Sequence, residues 1–421
     1  MATHGIGPFL GLNNILPHTK MAEYQNNGQK SGEYLRSADN VDLTDANTVR
    51  RRQGWVQKLT GVHMHSLFGL ADETALVADY QTLWHLSLQG GALHKDALMG
   101  DLSPGAPVSY VEHGGEVIFS DGGGIWSLSA GCVKELGIAL PSQAPMLHFA
   151  LDGSMAAGVY QVMFTFVHAD GRESGSGETV EITLPAQSRL LIGNLPASCP
   201  AGVVGVNVYM TPPNGDTFYL AATVGLDGQA LDIGVQPQEL TRSFTHRLRP
   251  MPGGRIVRMH NGRLLTAKGA VLRKSQPYAY GLHDPVADYM PFPADITVLE
   301  PVAGGVYVVA DKTYFIAGDF ESVIEVLPFG AAFGSAVRRP DGQGVHWFSD
   351  RGLVLADEQG AVRQLHSERF HTPKAQEAAV VVREQDGLRQ LLVATRGQSG
   401  ASVAAASSFM DAQIIKKGIS Q

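Results

Sequence analysis

The chain has 421 residues, enough for more than one ordinary domain, with 49 Gly, 22 Pro, 17% charged residues and a formal net charge of −8. That charge gives no support for a protein that coats nucleic acid, and no run of 18 apolar residues exists to cross a membrane as a helix. Short apolar runs separated by Gly, Asp and Asn dominate over any helical period, so the expected class is all-β. The start, MATHGIGPFLGLNN, lacks a basic segment followed by an apolar core, so no secretory leader is expected. Cys132 and Cys199 lie far apart and are expected as free thiols, and no Cys/His spacing suits zinc.

Residues 1–56 stand outside any repeat and are expected as an extended N-terminal arm with a closing strand. The polar stretch Ala22 to Gly32 reads as a loop, and the alternation from Leu35 to Leu43 suits a strand. Arg50, Arg51 and Arg52 then form a short basic run that ends at Trp55.

From residue 57 a repeat takes over. An apolar run, a polar break and a second apolar run make a hairpin unit, clearest in Gly344 to Leu355, GVHWFSDRGLVL. Related units run from Leu76 to Leu86, Val117 to Leu128, Leu264 to Leu272 and Val306 to Ile316, with a degenerate copy at Leu391 to Ala394. Asp79 to Asp121 and Trp84 to Trp126 are each 42 residues apart; Asp311 to Asp350 is 39, Leu265 to Val308 is 43 and Phe348 to Leu392 is 44. A period near 40 with several strands per unit marks β-propeller blades, here about six counting terminal closure. Trp84, Trp126 and Trp347 are expected to pack between blades. Asp79, Asp121, Asp311 and Asp350 are expected as turn residues. The interval Ile118 to Leu265 is 147 residues, one period plus about 105, which requires an inserted domain. The blades therefore occupy 57–140 and 246–403.

Residues 141–245 read as that insertion. Runs at 158–167, 179–184, 190–192, 203–210 and 218–224, with polar turns at Asp170 to Gly175 and Thr211 to Gly215, suit a sandwich of about seven strands. Asp170, Arg172 and Glu173 are turn residues rather than a catalytic set. His246, Arg247 and Arg249 read as a solvated linker. Phe329 to Gly334 is an apolar crossing between blades, so Phe329 and Phe333 are candidates for packing under the next blade or for a subunit contact. Residues 404–421 form a C-terminal arm in which Ile414 and Ile415 could close the ring with an N-terminal strand or meet a partner.

Three short motifs carry a resemblance: Gly11-Leu12-Asn13, Ala38-Asp39-Asn40-Val41-Asp42 and Arg50-Arg51-Arg52-Gln53-Gly54-Trp55. Together with the propeller pattern they resemble the tail nozzle or packaged-DNA-stabilisation family of short-tailed bacteriophages. The insertion resembles the fibronectin type III modules of phage tail proteins, on Tyr160, the Asp170 to Ser174 turn and the Val208-Tyr209 strand. The resemblance implies a non-enzymatic structural protein of the virion tail, made in the host cytoplasm. Its expected partners are further copies, in a ring, and other tail proteins; contact with a host surface and passage of DNA without specific binding come with the same reading. Arg50, Arg51, Arg52, Trp55, Phe329, Phe333, Ile414 and Ile415 are then the candidate subunit contacts.

Two other functions compete. A host-surface receptor-binding protein would use a blade face or the sandwich. A propeller-fold carbohydrate-active enzyme would need two carboxylates across a cleft, which 40 acidic residues cannot single out. No Gly-x-Ser-x-Gly or phosphate-cradling loop occurs, His63 and His65 lack a third metal ligand, and no catalytic residue, metal or cofactor is expected.

Overall fold

The computed structural model describes residues 8–25, 28–38, 41–43, 48–51, 56–235, 241–320, 322–349, 351–365, 368–369, 375–385, 388–397 and 411–416. Among them the only helical turn is His18–Lys20; the rest of the regular structure is strand, mostly in small antiparallel sheets. The chain divides into two compact units, one of residues 61–268 and 272–290, the other of residues 1–60, 269–271 and 291–421.

The first unit holds two four-stranded sheets, nearly all of a third and the insertion. One sheet runs Met64–Gly69, Ala75–Asp79, Thr82–Gln89 and Ala92–Met99; the next runs Ser109–His113, Glu116–Ser120, Ile125–Ser129 and Cys132–Glu135. The third combines Ile256–His260, Arg263–Lys268, Val271–Lys274 and Tyr289–Pro291. Each is blade-like in its up-and-down order. Burial grades across a sheet: in the second, Val117 to Ser120 are all buried, whereas both ends of Cys132–Glu135 are exposed. A strand covered on both faces needs a continuous apolar run, and the central hairpins carry one in sequence.

The hydrophobic clusters lie between sheets rather than within them. Leu76, Ala78 and Leu83 of the first sheet pack with Tyr110, Val117, Phe119 and Leu128 of the second. Ile118 and Ile125 of the second pack with Val257 and Leu264 of the third. The Val257 N–H also donates to Ser109 Oγ (3.0 Å) and the Gly254 N–H to Ser120 Oγ (3.0 Å). The second and third sheets are thus direct neighbours, although more than 100 residues separate them in sequence. The long interval is an insertion between adjacent sheets.

The insertion is a two-sheet sandwich of seven strands. Met146–Met155, Ser188–Gly193 and Leu231–Ile233 form one sheet in that order; Val180–Leu184, Gly158–His168, Val203–Met210 and Tyr219–Val224 form the other. Tyr160, Val162, Phe164 and Phe166 alternate into a shared core with Val206, Val208, Met210, Leu190 and Ile192. The opposite face of the four-stranded sheet is also apolar, with Met163 and Tyr209 buried beside Phe218.

In the second unit, two more four-stranded sheets run Val298–Val302, Gly305–Val309, Thr313–Ala317, Ser322–Leu327 and Val337–Arg338, Val345–Ser349, Gly352–Ala356, Val362–Leu365. Tyr307, Phe315, Trp347 and Val354 fill the space between them. A last sheet is three-stranded: Ala375–Gln385, Leu388–Gly397 and Asp411–Lys416. Within the C-terminal arm, Ile415 pairs with Leu391 and Ile414 with Leu392 in the antiparallel order of the other sheets, and among the described residues no N-terminal strand joins this sheet. The N-terminal arm is corrected. The polar stretch expected to loop out forms Ala22–Tyr24 and the start of Lys30–Leu35, which pair antiparallel, while Phe9–Leu12 joins Lys30–Leu35 in parallel. Tyr34 and Phe9 are buried there, and Arg369 lies 5.5 Å over the Tyr34 ring, so tertiary packing overrides a weak local pattern.

Candidate functional site

The repeated hairpin turns are the first place where polar chemistry collects. Asp121 is buried. Its Oδ1 accepts from the Gly123 and Gly124 N–H groups (2.8 and 2.9 Å), the expected turn role. Its Oδ2 accepts from the Ser103 N–H (2.7 Å), on the connection that leads in from the preceding sheet. Asp79 does the same one repeat earlier, with Oδ1 accepting from the His63 N–H (2.7 Å). Burial works against ionisation of Asp121, yet the N–H donors of Ser103, Gly123 and Gly124 win and hold its carboxyl below the usual range. Ser120 and Ser349 add a hydroxyl latch, donating to Gly124 O and Gly352 O respectively across the turn (2.6 and 2.9 Å). Asp311 accepts from the Tyr314 hydroxyl (3.0 Å); Asp350 lies outside the described residues.

The second place is the junction of the sandwich with the second sheet. Asp170 accepts from Arg172 Nε (2.9 Å), its carboxylate lies 2.8 Å from His168 Nδ1, and Lys134 of the second sheet reaches it at 3.2 Å. The Arg172 guanidinium also donates to the Leu136 carbonyl, crossing from module to sheet. Burial disfavours the Asp170 charge, but the Arg172 N–H and guanidinium hold its carboxyl far below the usual carboxylate range. Glu173 accepts from Thr165 Oγ1, Asn207 Nδ2 (3.1 Å) and the Tyr209 hydroxyl (3.2 Å). Burial and then the Glu173 charge push the Tyr209 phenol up.

Arg247 and Arg249 are exposed, as expected of a solvated linker, whereas His246 is half-buried and Ser243 and Thr245 are buried. The segment touches the outer face of the sandwich at Phe218: the Ser243 N–H donates to Phe218 O (2.9 Å), and His246 lies 4.6 Å from the Phe218 ring. The Arg247 N–H donates to Ser176 Oγ (3.2 Å) and Arg249 to Ser176 O (3.3 Å). Burial, then Arg247 and Arg249, lower the His246 pKa.

The other sequence candidates scatter. Arg50 and Arg51 are exposed on the hairpin of Val41–Leu43 and Val49–Arg51; Arg52 and Trp55 lie outside the described residues. Phe329 is corrected as a surface contact: it is 8% exposed, in the cluster between two sheets, with Arg351 over its ring at 4.8 Å. Phe333 is half-buried, its main chain hydrogen-bonded to Gln376 and Ala378 of the last sheet. Trp347 is fully buried between sheets, and Trp126 packs on the cluster shared by the first two sheets, stacked on Phe119. Trp84 differs: it is half-buried with Lys95 of its own sheet 4.4 Å over its ring. The His63 and His65 rings are 5.3 Å apart, and no group of three or more metal-ligating side chains occurs among the described residues.

No family model and no curated protein matches the chain. Among solved structures, the virginiamycin B lyase of Staphylococcus aureus is 11% identical and covers 79% of this chain and 92% of its own, with a TM-score of 0.31. Sqt1 of Saccharomyces cerevisiae is 12% identical over 72% of this chain and 84% of its own (TM-score 0.23), and the AfRom2 CNH domain is 7% identical over 80% and 92% (TM-score 0.29).

Proposed function

We propose that the chain is a structural component of a bacteriophage virion tail, at the distal tail, nozzle or baseplate, that acts as a non-enzymatic scaffold. On this reading the sheets are blades of a propeller of about six, the last formed from the three-stranded sheet, and the sandwich is an inserted immunoglobulin or fibronectin type III-like module. The order of its four-stranded sheet, Val180–Leu184, Gly158–His168, Val203–Met210 and Tyr219–Val224, supports this, since it follows the C′–C–F–G order of such folds. The N-terminal motifs carry the tail assignment, and Arg50 and Arg51, exposed on their hairpin, are the candidate subunit contacts.

The observation that carries the scaffold reading is the occupation of the carboxylates. Asp121 is held by three main-chain N–H groups, Asp170 by Arg172, His168 and Lys134, and Glu173 by three side-chain donors. Groups held this way join elements together and are poorly placed to exchange protons with a substrate. Light scattering and negative-stain imaging of the purified full chain test the proposal. Rings with outward projections are expected, and a chain that remains monomeric at high concentration and adsorbs to bacterial cells would instead favour receptor binding. Turnover of a polysaccharide, lost on carboxylate substitution, would overturn it in favour of an enzyme.

A further inference from the structure

The strand Met64–Gly69 is irregular where it meets the connection to the second sheet. It pairs with Ala75–Asp79 from Met64 opposite Asp79 to His65 opposite Ala78, then slips to Phe68 opposite Leu76, so Ser66 and Leu67 both stand against Val77. The extra residue makes a β-bulge, and Ser66 takes the left-handed conformation there (φ 54°). Bulges re-aim side chains. Here Ser66 Oγ accepts from the Val108 N–H (2.9 Å), at the end of the connection of residues 100–108 that leads into the second sheet.

Two imidazoles meet the same connection. His65 Nδ1 lies 2.9 Å from Ser66 Oγ. Gly105, left-handed at φ 64°, passes so close to the His63 ring that a Cβ on it would stand 3.7 Å away. The two rings are 5.3 Å apart. Because Ser66 Oγ already accepts from Val108, its own proton is available to His65 Nδ1, which must then carry none. A proton on Nδ1 would make Ser66 accept twice and take away the acceptor of its O–H. Around the pair, Asp79 Oδ1 accepts from the His63 N–H, and Lys95 lies 3.9 Å from Asp79 Oδ2. From the second sheet, the buried Tyr110 stacks on Phe68, and Asp121 is taken up by the Ser103, Gly123 and Gly124 N–H groups. Burial, then the neighbouring His63, lower the His65 pKa; Asp79 and the Tyr80 main chain pull the other way without offsetting them.

We propose that His65, Ser66 and Val108 form an acid-released latch, which holds the connection of residues 100–108 on the first sheet while His65 is neutral and frees it when His65 takes up a proton. His63 sets the threshold, since a second positive imidazole beside His65 opposes that proton. The folded His65 value lies below the ordinary 6.5, so the hold is complete above 6.5 and is lost as pH falls through the folded value. Release is confined to the side of the first sheet, because Asp121 keeps its bond to the Ser103 N–H. The latch does not depend on the chain belonging to a tail.

Hydrogen exchange of the full chain, corrected for the intrinsic pH dependence of amide exchange and followed from about pH 7.5 to about pH 5, tests this. Protection of residues 100–108 should fall by up to about tenfold per pH unit below about pH 6.5, while residues 158–168 of the sandwich keep theirs. His65→Gln, which leaves an amide beside Ser66 but does not titrate, should abolish the pH dependence. Ser66→Gly, which suits the left-handed backbone but has no hydroxyl, should lower protection at every pH. His63→Asn, at an exposed position, should move the midpoint to higher pH. Protection of residues 100–108 that does not change with pH, or a pH dependence that persists in His65→Gln, would overturn the proposal. Should His65→Gln fail to fold, an unmoved midpoint in His63→Asn overturns it instead.

Discussion

The sandwich and the blade-like sheets solve the same burial problem in opposite ways. The sandwich keeps its core inside itself: residues from both of its sheets, Tyr160 and Phe164 facing Leu190 and Ile192, close over one another. A blade-like sheet owns no core. Phe119 is buried only because the first sheet brings Leu76 and Leu83 to it, and Trp347 only because the neighbouring sheet brings Tyr307 and Phe315. Stability among such sheets is therefore a property of neighbours, as in repeat proteins, whereas the sandwich resembles an ordinary small domain.

The sharpest way to break this comparison is to cut a cavity in each region. Trp347→Ala and Phe164→Ala should each cost about 3–5 kcal/mol. Hydrogen exchange should separate them: Trp347→Ala is expected to expose both sheets that share the cluster, while Phe164→Ala should loosen residues 146–233 alone. A loss confined to Val337–Leu365 in the first case would refute the shared-core account.

A smaller effect is expected at the turn that also ties one sheet to the next. Asp121→Ala strands three N–H groups and should cost about 2–3 kcal/mol in chemical denaturation. The same carboxyl gives a pH signature. Its folded pKa is depressed below the ordinary 3.8, so its contribution is complete above that value and is lost as pH falls through the folded pKa. Asp121→Asn should flatten the acid limb of the stability profile below about pH 4 and leave neutral pH behaviour to the lost charge alone. An unchanged acid limb would assign that limb to other carboxylates.

The smallest effect belongs to the seam between the two regions. Arg172→Ala removes the bond to Leu136 O and the partner of Asp170, and should cost about 1 kcal/mol or less because the site is part-exposed. Its readout is faster proteolysis at residues 140–145 with both cores intact. Cleavage no faster than in the parent chain would mean that the packing of residues 241–249 holds the module without Arg172.

Much of the architecture is legible in sequence for a physical reason. Central strands buried on both faces must be apolar throughout, so Val117 to Phe119 and Val345 to Phe348 repeat at a period that turns cannot hide. Contacts that bridge distant segments are not. Nothing near Asp121 announces that Ser103, on the preceding connection, will donate to it. Phe329 reads as an exposed apolar crossing because its burial depends on residues of two sheets. The polarity of Ala22 to Gly32 suits a loop, yet pairing with Phe9–Leu12 and cover from Arg369 turn its end into a strand. The seven-strand count of the sandwich follows from alternation, but the place of Met146–Met155 at the end of its three-stranded sheet follows only from strand order, which no local pattern encodes.

The points where the chain leaves the second sheet and enters the third almost touch: a Cβ placed on Gly137 would lie 2.9 Å from Pro250 Cβ. The sandwich therefore hangs on a stem whose two sides are already joined. Genetically, such a site behaves as a socket. A recombination event could delete the module, or replace it with another of different size, while the flanking sheets meet across the same Ser109 and Ser120 bonds. Related chains with the same sheets and a different passenger, or none, are the lineage this geometry permits.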